Sequence, residues 1–230
     1  MASKPNLLLL HGALGSAQQM LPLKDLLKDH YTIHTYDFPG HGGKDFAEHS
    51  LTIPILGEHL LDHLREFQLI GTHVFGYSMG GYAALWLEAN KAGIFSSIMT
   101  LGTKFNWTTD IAAKESKLIA PEFLELKAPS FVSTLIARHF PYDWKRLCTE
   151  TAHLMQHLAK HPLTNDELGN ISCDVRIALG DRDHMVTLEE SAHTYTALSN
   201  ASLLVMPETP HLFEKIAYAH LAEEIKRFIK

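Results

Sequence analysis

The sequence has few cysteines, no excess of positive charge and no long apolar run. Its two cysteines, Cys148 and Cys173, form no Cys-x-x-Cys pair, so we expect neither a disulfide scaffold nor a zinc site. The 20 Lys and Arg against 26 Asp and Glu give a net charge of −6, which disfavours nucleic acid as a partner. The leucine run at 7–10 is too short to span a bilayer and lacks a signal-peptide pattern. We therefore expect a cytoplasmic protein with no membrane partner.

The pattern that is present is an alternation of short apolar segments with longer amphipathic ones. With 230 residues and 46% apolar content, the chain can form one compact domain with a substantial core. The alternation is typical of βαβ units, and it predicts an α/β fold with a mainly parallel sheet and helices on both faces. Predicted strands cover 6–10, 31–36, 73–77, 94–101, 174–179 and 202–206. Predicted helices lie around 18–28, 53–67, 79–91, 189–198 and 213–229.

Residues 105–170 interrupt this alternation. They contain no convincing strand, and prolines divide their helical segments into short pieces. An insertion of this length between parallel strands usually has a function of its own. We expect a helical lid at 105–170, inserted into a core formed by 1–104 and 171–230. The alternative is an elaborated crossover that merely covers the sheet.

The sequence Gly-Tyr-Ser-Met-Gly at 76–80 follows a predicted strand and opens a predicted helix. In that context Gly-x-Ser-x-Gly indicates a sharp turn that exposes the hydroxyl of Ser78. Glycines two residues to either side are needed because a Cβ there would collide with the neighbouring main chain. The helix N-terminus favours negative charge that develops beside the serine. Ser78 is therefore a candidate nucleophile.

Four motifs in order carry a resemblance to a known family. They are Leu-Leu-His-Gly-Ala-Leu-Gly-Ser at 9–16, Asp-Phe-Pro-Gly-His-Gly at 37–42, Gly-Tyr-Ser-Met-Gly-Gly at 76–81 and Leu-Gly-Asp-Arg-Asp at 179–183, followed by Pro-His at 210–211. The sequence resembles the α/β-hydrolase family, and within it small bacterial esterases and C–C hydrolases. Only five residues precede the first predicted strand, so we expect about six strands rather than eight.

The resemblance implies that an acid and a histidine follow the serine in that order. His211 comes shortly after the last predicted strand, at the sheet edge expected to carry Ser78. The family's Gly-x-x-Asp pattern selects Asp183 as the acid. Asp181 is expected to order the turn through its own backbone. A serine hydroxyl needs such a base, itself oriented by an acid, to become a nucleophile.

The resemblance also implies an oxyanion hole formed by the backbone N–H groups of Ala13 and Met79. His11 then braces the loop, and Asp37 and His41 fix a neighbouring one. The residues predicted to contact substrate are Leu14, Tyr77, Trp107, Phe123 and Trp144. We expect no cofactor and no metal, because the histidines spaced by four on the predicted helix 143–160 lack a carboxylate or cysteine to complete a site. The expected partner is a small-molecule substrate.

These residues support three hypotheses. The first is a serine hydrolase, in particular a carboxylesterase that cleaves a small, largely apolar ester. The second is an enzyme that cleaves a C–C bond, or a lyase, with the same three side chains. The third is a signalling protein of the same fold that retains the site as a ligand pocket without turnover. The fold does not separate these hypotheses.

Overall fold

The computed structural model describes residues 4–229, which form one six-stranded parallel sheet in the order β2-β1-β3-β4-β5-β6. The strands are β1 (Asn6–Leu10), β2 (Thr32–Tyr36), β3 (Thr72–Tyr77), β4 (Phe95–Leu101), β5 (Asp174–Arg182) and β6 (Ala201–Pro210). Every adjacent pair is parallel. The predicted α/β fold with six strands is confirmed.

Both faces of the sheet are buried, as the first strand shows. Successive side chains of a strand point to opposite faces. In β1, Leu8 and Leu10 join the larger apolar cluster, whereas Leu7 and Leu9 join the smaller one, and all four are fully buried. This two-sided burial explains why β1 is a continuous leucine run.

Ten α-helices surround the sheet in the described part of the chain. They are α1 (Leu21–Leu27), α2 (Ile53–Glu66), α3 (Met79–Asn90), α4 (Thr109–Leu118), α5 (Pro121–Lys127), α6 (Pro129–His139), α7 (Trp144–Lys160), α8 (Asn165–Gly169), α9 (Leu188–Ala197) and α10 (Tyr218–Phe228). Short 3₁₀ helices cover Ala17–Met20 and Phe213–Lys215. Within residues 4–229 no helix is both long and apolar enough to cross a membrane.

Residues 105–170 contain the five helices α4 to α8 and no strand. Asp143 caps α7 by accepting a hydrogen bond from the amide of Lys145 (2.9 Å). One stripe of α7 is buried, as its periodicity predicts; its members are Trp144, Leu147, Cys148, Thr151, Leu154, Met155 and Leu158. The helical insertion is thus observed, while its action as a lid stays a prediction. Of the predicted core, 1–104 and 171–230, residues 1–3 and 230 lie outside the described part of the chain.

Four predicted elements have clearly different bounds in the structure. The helix predicted at 18–28 is a 3₁₀ turn followed by α1, because Pro22 has no N–H with which to continue the preceding turn. The helix predicted at 213–229 is broken at Ile216, whose backbone is extended. Phe213 is buried, and its ring packs against that of Tyr77 (4.8 Å between centroids). Strands β5 and β6 run several residues further than predicted.

Candidate active site

Ser78 lies on the turn between β3 and α3 with strained backbone angles. Its φ of 50° and ψ of −116° place a non-glycine residue in a sparsely populated region. A Cβ at Gly76 would lie 2.5 Å from the Cα of Gly81, and one at Gly80 would lie 2.6 Å from the carbonyl oxygen of His11. The two flanking glycines therefore let the turn pack directly against the chain, as the motif predicts.

The end of β4 holds the backbone of this turn on both sides of the serine. The amide of Ser78 donates to the carbonyl of Leu101 (2.9 Å), and the hydroxyl of Thr103 donates to the carbonyl of Ser78 (3.0 Å). These two bonds keep the strained conformation in place. Thr103 was not predicted to have this role, since one threonine after a strand carries no signal in the sequence.

Asp183 and His211 form a short hydrogen bond between Oδ2 and Nδ1 (2.7 Å). The other carboxylate oxygen of Asp183 accepts the amides of Met185 (2.8 Å) and Val186 (2.9 Å). Burial alone would raise the pKa of this carboxyl, but the hydrogen bond from His211 and the two amides hold the pKa below its ordinary value. The carboxylate is thus ionised and can fix the imidazole with its Nδ1–H toward Asp183.

Strand register brings Asp183 and His211 together. Arg182 and Pro210 are the last residues of β5 and β6, and they pair with each other. The residues that follow them, Asp183 and His211, therefore lie side by side. Asp181 accepts a hydrogen bond from the amide of Thr209 (3.1 Å) at the irregularity in this pairing. The prediction that Asp181 orders its own turn is therefore wrong, because the residue belongs to a strand and bonds to the neighbouring one.

Two contacts connect His211 to the segments that flank or hold the Ser78 turn. Gly102 lies between Leu101 and Thr103, which bind the Ser78 backbone, and a Cβ at Gly102 would lie 3.3 Å from Nδ1 of His211. The hydroxyl of Tyr77, the residue before the serine, donates to the carbonyl of His211. Asp183 and His211 are thus bonded to each other at the carboxyl edge of the sheet, the edge at which the Ser78 turn also lies.

A small apolar cavity of about 40 Å³ opens at Ser78. Its lining residues are Ala13, Ile53, Ser78, Met79, Tyr82, Lys104, Trp107, Thr151, Leu154, Met155, Leu158 and Met185. The ammonium of Lys104 bonds to the carbonyl of Met185 (2.9 Å) and pairs with the buried carboxylate of Glu190 (3.5 Å), so its charge is compensated within the wall. The cavity contains the predicted oxyanion residues Ala13 and Met79.

Of the five residues predicted to contact substrate, Trp107 lines this cavity and the others do not. Tyr77 packs among the apolar side chains of the opposite sheet face. Trp144 is buried in the larger cluster at the start of α7, and Phe123 is 38% exposed. Leu14 is buried in the loop after β1. None of these four side chains lines the cavity at Ser78, so their contact with substrate stays a prediction.

Several cavity residues were missed by sequence reasoning. Thr151, Leu154, Met155 and Leu158 belong to the buried stripe of α7, but helical periodicity does not reveal what such a stripe faces. A second, larger cavity of about 480 Å³ shares Tyr82 and Trp107 with the first and extends between α8 and α9. It contains none of Ser78, Asp183 and His211.

His11 braces the loop after β1, as predicted. Its Nε2 accepts the amide of Phe38 (3.2 Å), so Nδ1 carries the proton and donates to the carbonyl of Gly12 (2.8 Å). Complete burial lowers the pKa of His11 to about 3, which keeps the ring neutral. Asp37 accepts the amide of Ala17 (2.7 Å) and ties the two loops together.

Comparison with known proteins agrees with this fold. A sequence model described as the alpha/beta hydrolase family matches residues 7–218. The chain therefore belongs to the alpha/beta hydrolase family, as the four motifs predicted.

Proteins similar to this chain in sequence or structure include enzymes with several activities. The 3-oxoadipate enol-lactonase 1 of Acinetobacter baylyi is 27% identical over 208 residues, which cover 89% of this chain and 78% of that protein. The enol-lactonase of Burkholderia xenovorans has a similar structure (TM-score 0.82, 15% identity, 99% of this chain and 92% of that chain). So does the 2-hydroxy-6-oxo-6-phenylhexa-2,4-dienoate hydrolase of a Rhodococcus species (TM-score 0.81, 19% identity, 98% and 90%). The two structural similarities show a common fold.

Proposed function

We propose that the chain is a serine hydrolase that cleaves a small, largely apolar carboxylic ester. The observation that carries this proposal is the meeting of the strained Ser78 turn with the hydrogen-bonded Asp183–His211 pair at one sheet edge. An adjacent base that is oriented by a carboxylate activates a serine hydroxyl. The relative from Acinetobacter baylyi adds support, because a lactone is a cyclic ester and opens by the same acyl chemistry.

The reaction proceeds in two halves. Ser78 Oγ attacks the ester carbonyl while His211 accepts its proton, and the amides of Ala13 and Met79 stabilise the resulting oxyanion. The C–O bond to the alcohol then breaks, and His211 returns the proton to the departing oxygen. Water attacks the acyl-enzyme with His211 again as base, which releases the acid and restores Ser78. Asp183 stabilises the imidazolium that forms in each half.

The cavity at Ser78 supports an apolar acyl group of short length. Its volume of about 40 Å³ offers space for a few water molecules, and its described walls are methionine, leucine, isoleucine and aromatic side chains. A charged group would lose its hydration there, since Lys104 is already paired with Glu190. We further propose that the insertion 105–170 acts as the lid, because α7 contributes one wall of the cavity.

A series of p-nitrophenyl esters from two to twelve carbons, together with a small lactone, tests the proposal. We expect turnover that is highest for the shortest chains, and a fluorophosphonate probe should label Ser78 in the wild type. The Ser78→Ala variant is the matched control and should show neither turnover nor labelling. Labelling that survives this substitution would refute the nucleophile. Tight retention of a small molecule without turnover would instead support the ligand-binding hypothesis.

A further inference from the structure

The loop that carries Ala13 is held by two residues of the insertion. The guanidinium of Arg138 donates to the carbonyl of Leu14 (2.9 Å), and the Nε2 of His139 lies 3.1 Å from the same oxygen. The Nδ1 of His139 accepts the amide of Gly42 (3.1 Å), so the proton is on Nε2 and the second bond to Leu14 is also a donation. One carbonyl thus receives two donors from α6.

Leu14 needs this support because its backbone is strained. Its φ of 56° lies in the left-handed region, which costs a non-glycine residue about 1 kcal/mol or more. Such a conformation persists only where several surrounding contacts hold the backbone in place. The two donors from α6 supply those contacts at the carbonyl of the strained residue itself.

Peptide planarity transmits this support to the amide of Ala13. The carbonyl of Leu14 and the amide of Gly15 share one rigid plane, and that amide donates to the carbonyl of Gly12 (3.1 Å). The carbonyl of Gly12 in turn shares a plane with the N–H of Ala13. Fixing Leu14 therefore fixes the direction in which the Ala13 N–H points.

Arg138 also pairs with a residue of the 3₁₀ helix that follows His211. Its second guanidinium nitrogen pairs with Glu214 (3.0 Å), which also accepts the side-chain amide of Gln19. Glu214 lies three residues after His211. Arg138 thus joins the insertion, the Ala13 loop and the segment after the histidine.

We propose that Arg138, together with His139, is a positioning residue that orients the Ala13 amide toward the developing oxyanion. This inference rests on the proposed function, because it assumes that Ala13 forms half of the oxyanion hole. Arg138 is not among the residues that line the cavity at Ser78, so it acts in the transition state through the loop. A misplaced donor weakens transition-state binding more than substrate binding.

The test compares Arg138→Met with Arg138→Lys and with Arg146→Met. Arg146 is an exposed arginine of α7 that stacks on Phe46 and makes a matched control. For Arg138→Met we expect kcat on p-nitrophenyl acetate to fall about tenfold to a hundredfold with KM changed by less than about twofold. The Ki of a trifluoromethyl ketone, which forms an oxyanion on Ser78, should rise by the same factor as kcat/KM falls. Arg138→Lys should recover most of the loss, and Arg146→Met should match the wild type.

Amide hydrogen exchange of the peptide covering 11–16 separates this inference from the proposed function. Exchange there should be faster in Arg138→Met than in the wild type and unchanged in Arg146→Met. An unchanged kcat, unchanged exchange or equal losses in both methionine variants would overturn the positioning role. If the wild type shows neither turnover nor probe labelling, the proposed function fails, and the exchange experiment still shows whether Arg138 holds the loop.

Discussion

The two regions that build the site do so by different physical means. At the sheet edge, Ser78, Asp183 and His211 each follow a strand, and strand register brings them together. In the insertion, α6 and α7 contribute side chains from the faces of helices, and packing against the core determines where those faces lie. The three residues proposed for catalysis thus come from the sheet edge, whereas the helices of the insertion brace the Ala13 loop and form part of the cavity wall. Substitutions in the two regions should therefore have separable effects.

The largest effect should follow from removing the nucleophile at the sheet edge. Ser78→Ala should lower kcat by about 10⁶-fold on any ester that the wild type hydrolyses, because no other group can form the acyl-enzyme. Thermal unfolding should change little, since the substitution removes one hydroxyl. Steady-state kinetics and calorimetry on the same preparation check both expectations. A variant that retains a tenth of the activity would show that the edge does not carry the reaction.

The next largest effect should come from the acid, and it is tested by comparing the two carboxylates at the end of β5. Asp183→Asn should lower kcat by about 10³- to 10⁴-fold, because the imidazole loses the partner that fixes its tautomer. Asp181→Asn is the matched control and keeps an oxygen that can accept the Thr209 amide, so its kcat should remain within about tenfold of the wild type. The opposite ranking of the two variants would assign the acid to Asp181.

The difference between the sheet edge and the helical insertion also explains which site residues the sequence predicted and which it could not. Ser78, Asp183 and His211 were predicted as one group because each lies in a short motif directly after a strand, and parallel strands end at one edge. Arg138 gave no such signal, since its contact with Leu14 joins residues 124 positions apart. Trp144 and Phe123 were placed in the pocket from residue type alone, which does not distinguish packing from a ligand wall. Six strands were predicted, but not the extension of β5 and β6 past the sheet body.

Substitution in the cavity wall contributed by α7 should change substrate choice more than rate. Met155 lines the cavity from α7 and is buried, so Met155→Ala should enlarge the space for the acyl chain. We expect the kcat/KM ratio of the eight-carbon to the two-carbon p-nitrophenyl ester to rise about tenfold, with the two-carbon value nearly unchanged. Leu126→Ala, at a leucine of the same insertion that is 74% exposed, is the control. An unchanged ratio in Met155→Ala would mean that α7 does not limit the acyl chain.

The smallest effect concerns stability at the boundary between the two regions. His11, His41 and His139 are fully buried, and their rings lie close together (5.0 Å between the centroids of His11 and His41, 5.8 Å between those of His41 and His139). Burial lowers the pKa of all three, to about 3 for His11 and about 4 for His139.

Because the unfolded chain binds these protons near pH 6.5 and the folded chain does not, the free energy of unfolding should fall as pH falls below 6.5. Each such histidine contributes up to about 1.4 kcal/mol per pH unit. The lowered pKa of Asp183 affects the free energy of unfolding only at lower pH, near and below the ordinary carboxyl pKa of 3.8. It therefore does not contribute to the pH range in which the histidines act. Denaturant unfolding of wild type and His139→Gln between pH 7 and about 4.5 isolates one of the three contributions, because the other histidines are common to both.

We expect the pH slope of His139→Gln to be shallower by up to about 1.4 kcal/mol per pH unit, which corresponds to one proton. His49→Gln, at an exposed histidine, should keep the wild-type slope. Equal slopes in His139→Gln and the wild type would show that His139 is charged in the folded protein. A charged His139 would still donate from Nε2 to Leu14, but it could no longer accept the amide of Gly42 at Nδ1. The contact between the insertion and the Asp37–Gly42 loop would then have to rest on other groups.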